Sequence, residues 1–237
     1  MRRVALVFLA AAASATLYVP AAEAATIWDG DASRGTGIFG PIGSNCSSPG
    51  SVTAVTDATH GRVWRYHKPS GSNRCETRGV RVGSNVYQFR NGSTYYLGWR
   101  SKLSSTVNNN ATFQWKSFGN HTQNYPVVLK VIDGHLSMLQ RQPDDSGKII
   151  WRTPVSAGSW NSIVIGLHLS SATRGGWVEL WYNGVRQTFT DGSQRYACRT
   201  FDSENHPKWG IYGASGSTVT NTVDALKIGT AYSDVAP

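Results

Sequence analysis

Near the C-terminal end, "KWGIYG" (Lys208 to Gly213) alternates with the period of a strand. Lys208, Gly210 and Tyr212 share one face, and Trp209 and Ile211 the other. Two other stretches have the same two-faced character. In "RCETR", Arg74, Glu76 and Arg78 share a face; in "TFQWK", Thr112, Gln114 and Lys116 oppose Phe113 and Trp115. A phenol, an amide and several cations suit one chemistry, the removal of a proton beside a carboxylate. The C5 hydrogen of a uronic acid is weakly acidic until its carboxylate is neutralised. Gln and Arg side chains do this by donating to both oxygens of the developing dianion. A phenol flanked by cations ionises more readily and can then act as the base. Expulsion of the C4 oxygen completes a β-elimination. In β-linked glucuronate the C5 hydrogen and the C4 oxygen lie on the same side of the ring, so one tyrosine can take the proton and return it to the leaving oxygen. Tyr212 is the expected base and acid, with Lys208 placed to bias it towards ionisation. A single polar strand face is most simply a face turned to water. Three together, carrying Gln, Arg, Lys and Tyr, point to a groove for an anionic polymer.

Other chemistries fit less well. Glycoside hydrolysis needs two carboxyl groups about the scissile bond, and the chain has four glutamates, Glu23, Glu76, Glu179 and Glu204. Glu76 lies between arginines and reads as an ion-paired positioning residue. No Glu-x-Asp-x-x-Glu strand is present. "GASGS" (Gly213 to Ser217) misses the Gly-x-Ser-x-Gly nucleophile elbow by one position and reads as a turn. No Cys-x-x-Cys or His-x-x-x-His spacing supports a catalytic zinc. Among the histidines, His121 in "GNHTQNYP" is the candidate for a second acid-base or carboxylate contact. His168, in the apolar "IVIGLHLS", reads as structural.

The elements that must position these groups are short strands. "VVLKVIDGHLSMLQR" and "WVELWYNGVRQTF" read as hairpins around Asp133-Gly134 and Asn183-Gly184, dipeptides that tolerate the positive φ of tight turns. "GRVWRYHK", "RCETRGVRV", "TYYLGWRSKL", "ATFQWKSFG", "SWNSIVIGLHLS" and "TVDALKIGT" supply further strands, and long helical periodicity is absent. The pattern predicts an all-β jelly-roll sandwich with a concave, groove-bearing sheet. With no Pro-rich linker, repeat or long charge run, residues 25–237 are expected to form one domain.

Residues 1–24 read as a cleaved signal peptide: a basic start, a short apolar run and the small-x-small "AEA" ending at Ala24. The apolar run is shorter than a bilayer span, so a secreted protein, without membrane attachment, is expected. Removing Arg2, Arg3 and Glu23 takes the formal net charge from +9 to +8. Such an excess suits an acidic partner; an anionic polysaccharide is expected rather than nucleic acid, and the protein is expected to act as a monomer. Three cysteines remain in an oxidising compartment. Cys46 with Cys75 is the preferred disulfide, tying an early loop to a strand, and Cys75 with Cys198 is the competitor.

The stretches "FQWKSFGNHTQNYPVVLKV", "RCETRG" and "HPKWGIYG" followed by "VDALKIGT" resemble the jelly-roll polysaccharide lyases. The likeness is to the glucuronan lyase group and, more distantly, to heparin lyase I and alginate lyases of the same fold. It spans roughly "IWDGD" to "KIGT". The resemblance implies a lyase acting on a β-1,4-linked glucuronate polymer. Tyr212 would be base and acid, Gln114 and Arg74 would meet the carboxylate, and Lys116, Lys130, Lys208, Arg78 and Glu76 would line the substrate groove. The alginate lyase pattern has a His two residues after the Gln, where this chain has Lys116. No organic or redox cofactor is implied. Some relatives hold a structural calcium ion, for which Asp31 and Asp224 could supply oxygens. The alternatives are a lyase for alginate or a heparin-like glycan, and a non-catalytic carbohydrate-binding module. The modules differ from a lyase in needing no Tyr beside a carboxylate clamp.

Overall fold

A computed structural model describes residues 25–119 and 122–237; the expected signal peptide and His121 lie outside the described residues. The chain folds into two antiparallel sheets packed face to face, a β-jelly-roll sandwich. One sheet runs, edge to edge, Gly147–Pro154, His135–Arg141, Val127–Ile132, Asn110–Phe118, Glu204–Gly213, Arg74–Arg78 and Ile42–Cys46. The opposite sheet runs Val185–Arg186, Gly176–Tyr182, Trp160–His168, Thr94–Leu103, Val219–Gly229, Gly61–Lys68 and Ser51–Asp57. Thr26–Asp29 and Tyr196–Cys198 add to that second sheet. Among the described residues there is no α-helix, and no helix long and apolar enough to cross a membrane.

Alternation explains the core. The inward positions of the groove strands include Phe113, Trp115 and Trp209; Phe113 and Trp209 meet Trp99, Trp209 also meets Trp28, and Trp115 packs on Phe89. Trp209 stacks on Trp28 at 6.0 Å and Phe113 on Trp99 at 4.9 Å between ring centroids. Aromatic side chains of this size dominate core burial, and they fix which face of each groove strand is left outward. Both expected hairpins form on positive-φ pairs, Asp133 and Gly134 (49° and 72°) and Asn183 and Gly184 (50° and 78°).

Two irregularities depart from simple alternation. The register of Asn110–Phe118 slips against Val127–Ile132 beside Phe113. Thr112 is thereby turned inward, where it lies with Ser101, Leu103 and Leu136, instead of sharing the outer face of Gln114 and Lys116. A second slip falls between Trp209 and Tyr212. There Gly210 has φ 138°, and a Cβ on it would lie 2.2 Å from the Cys75 carbonyl oxygen. The backbone demands glycine at this point, because only glycine is at ease with that φ and that approach.

Cys46 and Cys75 are joined, with their sulfurs 2.01 Å apart, and the bond ties Ile42–Cys46 to Arg74–Arg78. Cys198 is a buried thiol, pushed up to about 12 by desolvation.

Candidate active site

The outer face of the seven-stranded sheet carries a small cleft of about 60 Å³ lined by Arg74, Gln114, Lys116, Asn124, Tyr125, Lys208 and Tyr212. Three adjacent strands supply it. Tyr212 pairs with Arg74 across one strand boundary, and Lys208 with Gln114 across the other. The Arg74 guanidinium lies over the Tyr212 ring, 4.7 Å from its centroid.

Beneath the cleft is a buried polar knot. Glu76 is 2% exposed and accepts from Gln114 Nε2 and Lys208 Nζ, both at 2.5 Å. Each carboxylate oxygen therefore holds one cleft residue, leaving the second N–H of the Gln114 amide for another acceptor. Lys208 is thus neutralised by Glu76, and the cation set against Tyr212 is Arg74. Burial draws Lys208 below the ordinary lysine value, opposed by the attraction of Glu76.

Lys116 closes one side. Its Nζ donates to the Ser117 and Asn124 carbonyls (3.2 and 3.0 Å) and to Asn124 Oδ1. Burial first, then the nearby charges of Lys208, Arg78 and Arg74, lower it to about 8, against an upward pull from Glu76. The sign of its effect differs for stability and for binding. Between about 8 and the ordinary value of 10.5 the unfolded chain holds a proton that the folded protein has released, so this group makes stability rise with pH across that window. Over the same window the cleft loses a cation. Affinity for an anionic polymer should therefore weaken above about pH 8, visible as a rising KM. Lys116→Met should bind about tenfold more weakly below that pH and lose the inflection, a change of about 1.4 kcal/mol. An unchanged inflection in the variant would remove Lys116 from binding.

Other expected groove residues fall nearby. Lys130, Ala111 and Tyr212 form one row across three strands, but Lys130 lies outside the lining of the cleft. Arg78 is set against the Phe118 ring at 3.4 Å and against Glu204 at 3.9 Å. Glu76 supports the floor, since its burial keeps it from a bound polymer. The other glutamates among the described residues are committed elsewhere: Glu179 to Arg186 and Arg195, and Glu204 to His206. His168 bonds Thr94 and stacks on Trp177.

Asn124 and Tyr125 were not singled out by alternation, because they come from the irregular "QNYP" segment. The turn-forming Asn and the Pro mark that segment as a loop, without indicating where it folds. Tyr125 is a second phenol in the cleft, and its hydroxyl accepts from Arg141 Nη1 at 2.8 Å.

Asp31 and Asp224 line a separate cleft of about 230 Å³ together with Asp29, Arg62 and Lys227. Asp31 caps the Ser33 amide (2.7 Å) and Asp224 accepts from Arg100 (3.0 Å). Among the described residues no group of three His, Cys, Asp or Glu side chains is gathered for a metal. With one carboxylate tied to a guanidinium and two further cations alongside, these residues do not fit the oxygen-rich shell of calcium.

The architecture is thus a jelly-roll sandwich with a cationic cleft on the outer face of one sheet. The chain belongs to the polysaccharide lyase family, whose profile matches residues 47–224. No curated protein matches its sequence. Among solved structures it is similar to the alginate lyase AlgAT5 of polysaccharide lyase family 7 (12% identity, TM-score 0.55, 78% of this chain and 83% of that one). It is also similar to the PL-14 alginate lyase of Aplysia kurodai (13%, 0.53, 87% and 100%). A third likeness is to a carbohydrate esterase of the Shiga toxin-encoding bacteriophage phi24B (14%, 0.59, 88% and 99%). At these identities the likeness is one of fold, and the site must carry the functional argument.

Proposed function

We propose that the protein is a secreted lyase that cleaves a β-1,4-linked glucuronate polymer by β-elimination. The observation that carries this reading is the meeting of Tyr212, Arg74 and Gln114 in a cleft that, among the described residues, has no carboxylate in its lining. A hydrolase of the usual two-carboxylate type has no acid or base there. The disulfide supports an oxidising, extracellular setting.

In the proposed reaction the Gln114 amide and the Arg74 guanidinium hold the uronate carboxylate. The ionised Tyr212 oxygen takes the C5 proton, and the electron pair moves into the carboxylate as a dianion stabilised by those donors. The C4–O bond then breaks, the pair returns to form the C4–C5 double bond, and the leaving oxygen takes the proton from Tyr212. One glycosidic link is lost, no water is consumed, and Tyr212 ends as it began. Lys116 adds positive potential along the polymer, whereas the charge of Lys208 is taken up by Glu76.

The test is incubation with glucuronan, alginate and heparin-like glycans, following the ultraviolet absorbance of the new double bond. Absorbance is expected with glucuronan. Absorbance only with another polyuronate would move the substrate to that polymer. Binding without absorbance for any of them would make the protein a binding module.

A further inference from the structure

Lys68, the last residue of Gly61–Lys68 in the sheet opposite the cleft, is fully buried, and among the described residues its ammonium has no carboxylate partner. Instead its Nζ donates to four backbone carbonyls: Pro69 (3.2 Å), Ser72 (3.0 Å), Ala214 (3.0 Å) and Ser217 (2.7 Å). Three N–H protons face four oxygens. The arrangement is closer to the coordination of a small cation than to a set of separate hydrogen bonds. A buried charge survives only if it is compensated, and here backbone dipoles supply the compensation.

The four carbonyls belong to two turns, and each turn adjoins a cleft residue. Ser72 lies two positions before Arg74, and its Oγ also donates to the Arg74 carbonyl at 3.1 Å. Ala214 lies two positions after Tyr212. The turns are further linked by Gly71 N to the Ser215 carbonyl (2.8 Å), Gly213 N to the Asn73 carbonyl (2.9 Å), and Ser70 Oγ to the Gly216 carbonyl (3.1 Å). Among the described residues the Lys68 ammonium is bonded here by backbone carbonyls, and both strands leave the joint directly into the Arg74–Tyr212 pair.

We propose that Lys68 is a positioning residue for the cleft: its caged ammonium clamps the two turns and so sets the Arg74 guanidinium over the Tyr212 ring. The activity readout rests on the lyase reading above; the structural readout does not. Misplacing a reacting group by a fraction of an ångström weakens catalysis far more than binding. In Lys68→Met the chain keeps the methylene packing and loses the charge, so kcat should fall about tenfold or more while KM stays within about threefold. Amide exchange at Gly71 and Gly213 should accelerate, whereas amides of Trp160–His168 should not. Lys68→Ala should recover kcat in ethylammonium but not in choline at equal ionic strength. The control is Leu180→Ala, a core truncation in the opposite sheet, with temperature adjusted so that both variants are equally far below their Tm.

A folded Lys68→Met with wild-type kcat, or a kcat loss no larger than that of Leu180→Ala, would overturn the proposal. Should Lys68→Met fail to fold, Ser70→Ala removes only one link of the same joint, and unchanged exchange at Gly71 and Gly213 would then overturn it. A wild-type protein inactive on every polymer would refute the lyase reading alone, since the exchange measurements would still decide the role of Lys68.

Discussion

Tyr212→Phe is expected to lower turnover of the uronate polymer by about 10³-fold or more, with polymer binding nearly unchanged. A positioned acid or base contributes roughly 10²–10⁴-fold to one proton transfer, and Tyr212 is asked to serve two. The corresponding loss of transition-state stabilisation is about 4 kcal/mol. Phenylalanine keeps the ring on which the Arg74 guanidinium rests at 4.7 Å, so the clamp on the carboxylate should persist and only the oxygen is lost. The fall should therefore appear in kcat and not in KM. Tyr125 makes the decisive control, because it is the other phenol of the cleft and its hydroxyl is already held by Arg141. Tyr125→Phe should retain most of the turnover. If Tyr125→Phe were the dead variant and Tyr212→Phe the active one, the base would have to be reassigned.

The parts of the site visible in the sequence are those that follow from strand alternation. Arg74 and Tyr212 lie on outward positions whose inward neighbours, Cys75 and Ile211, are apolar and buried, so the pattern alone places them on the groove face. The same reasoning misplaced Thr112, because a register slip turns it inward, and a slip leaves no mark in a run of β-prone residues. Alternation places Gly210 on the outer face between Lys208 and Tyr212 without saying why a glycine is needed there. Its φ of 138° and the Cys75 carbonyl at 2.2 Å from a would-be Cβ show a backbone requirement. Lys208 was expected to act on Tyr212, two positions along its own strand, yet its charge goes to Glu76. That contact spans 132 residues, and spacing along one strand carries no information about it. The preferred Cys46–Cys75 pair formed because the two residues are direct partners on neighbouring strands.

The Glu76–Lys208 pair leads to the other large expected effect. Glu76→Ala would leave the Lys208 ammonium, 5% exposed, with no counter-charge, and would remove the acceptor of the Gln114 amide. Breaking a buried pair by removing one partner costs about 3–5 kcal/mol, a large share of the roughly 5–15 kcal/mol that holds a folded protein together. For a chain of this size each kcal/mol moves Tm by about 2–4 °C, so a depression of roughly 6–20 °C is expected in calorimetry. Turnover should fall as well, because Gln114 would lose the bond that aims its remaining N–H at the substrate. The two losses can be separated. Replacing the whole pair, Glu76→Leu with Lys208→Met, leaves no orphaned charge and should restore most of the Tm, since apolar replacements of buried ion pairs are often neutral. Gln114 would still lack its anchor, so turnover should stay low. Recovery of both properties in the double variant would show that Glu76 serves only to neutralise Lys208, and that Gln114 is held by the strand rather than by the knot beneath it.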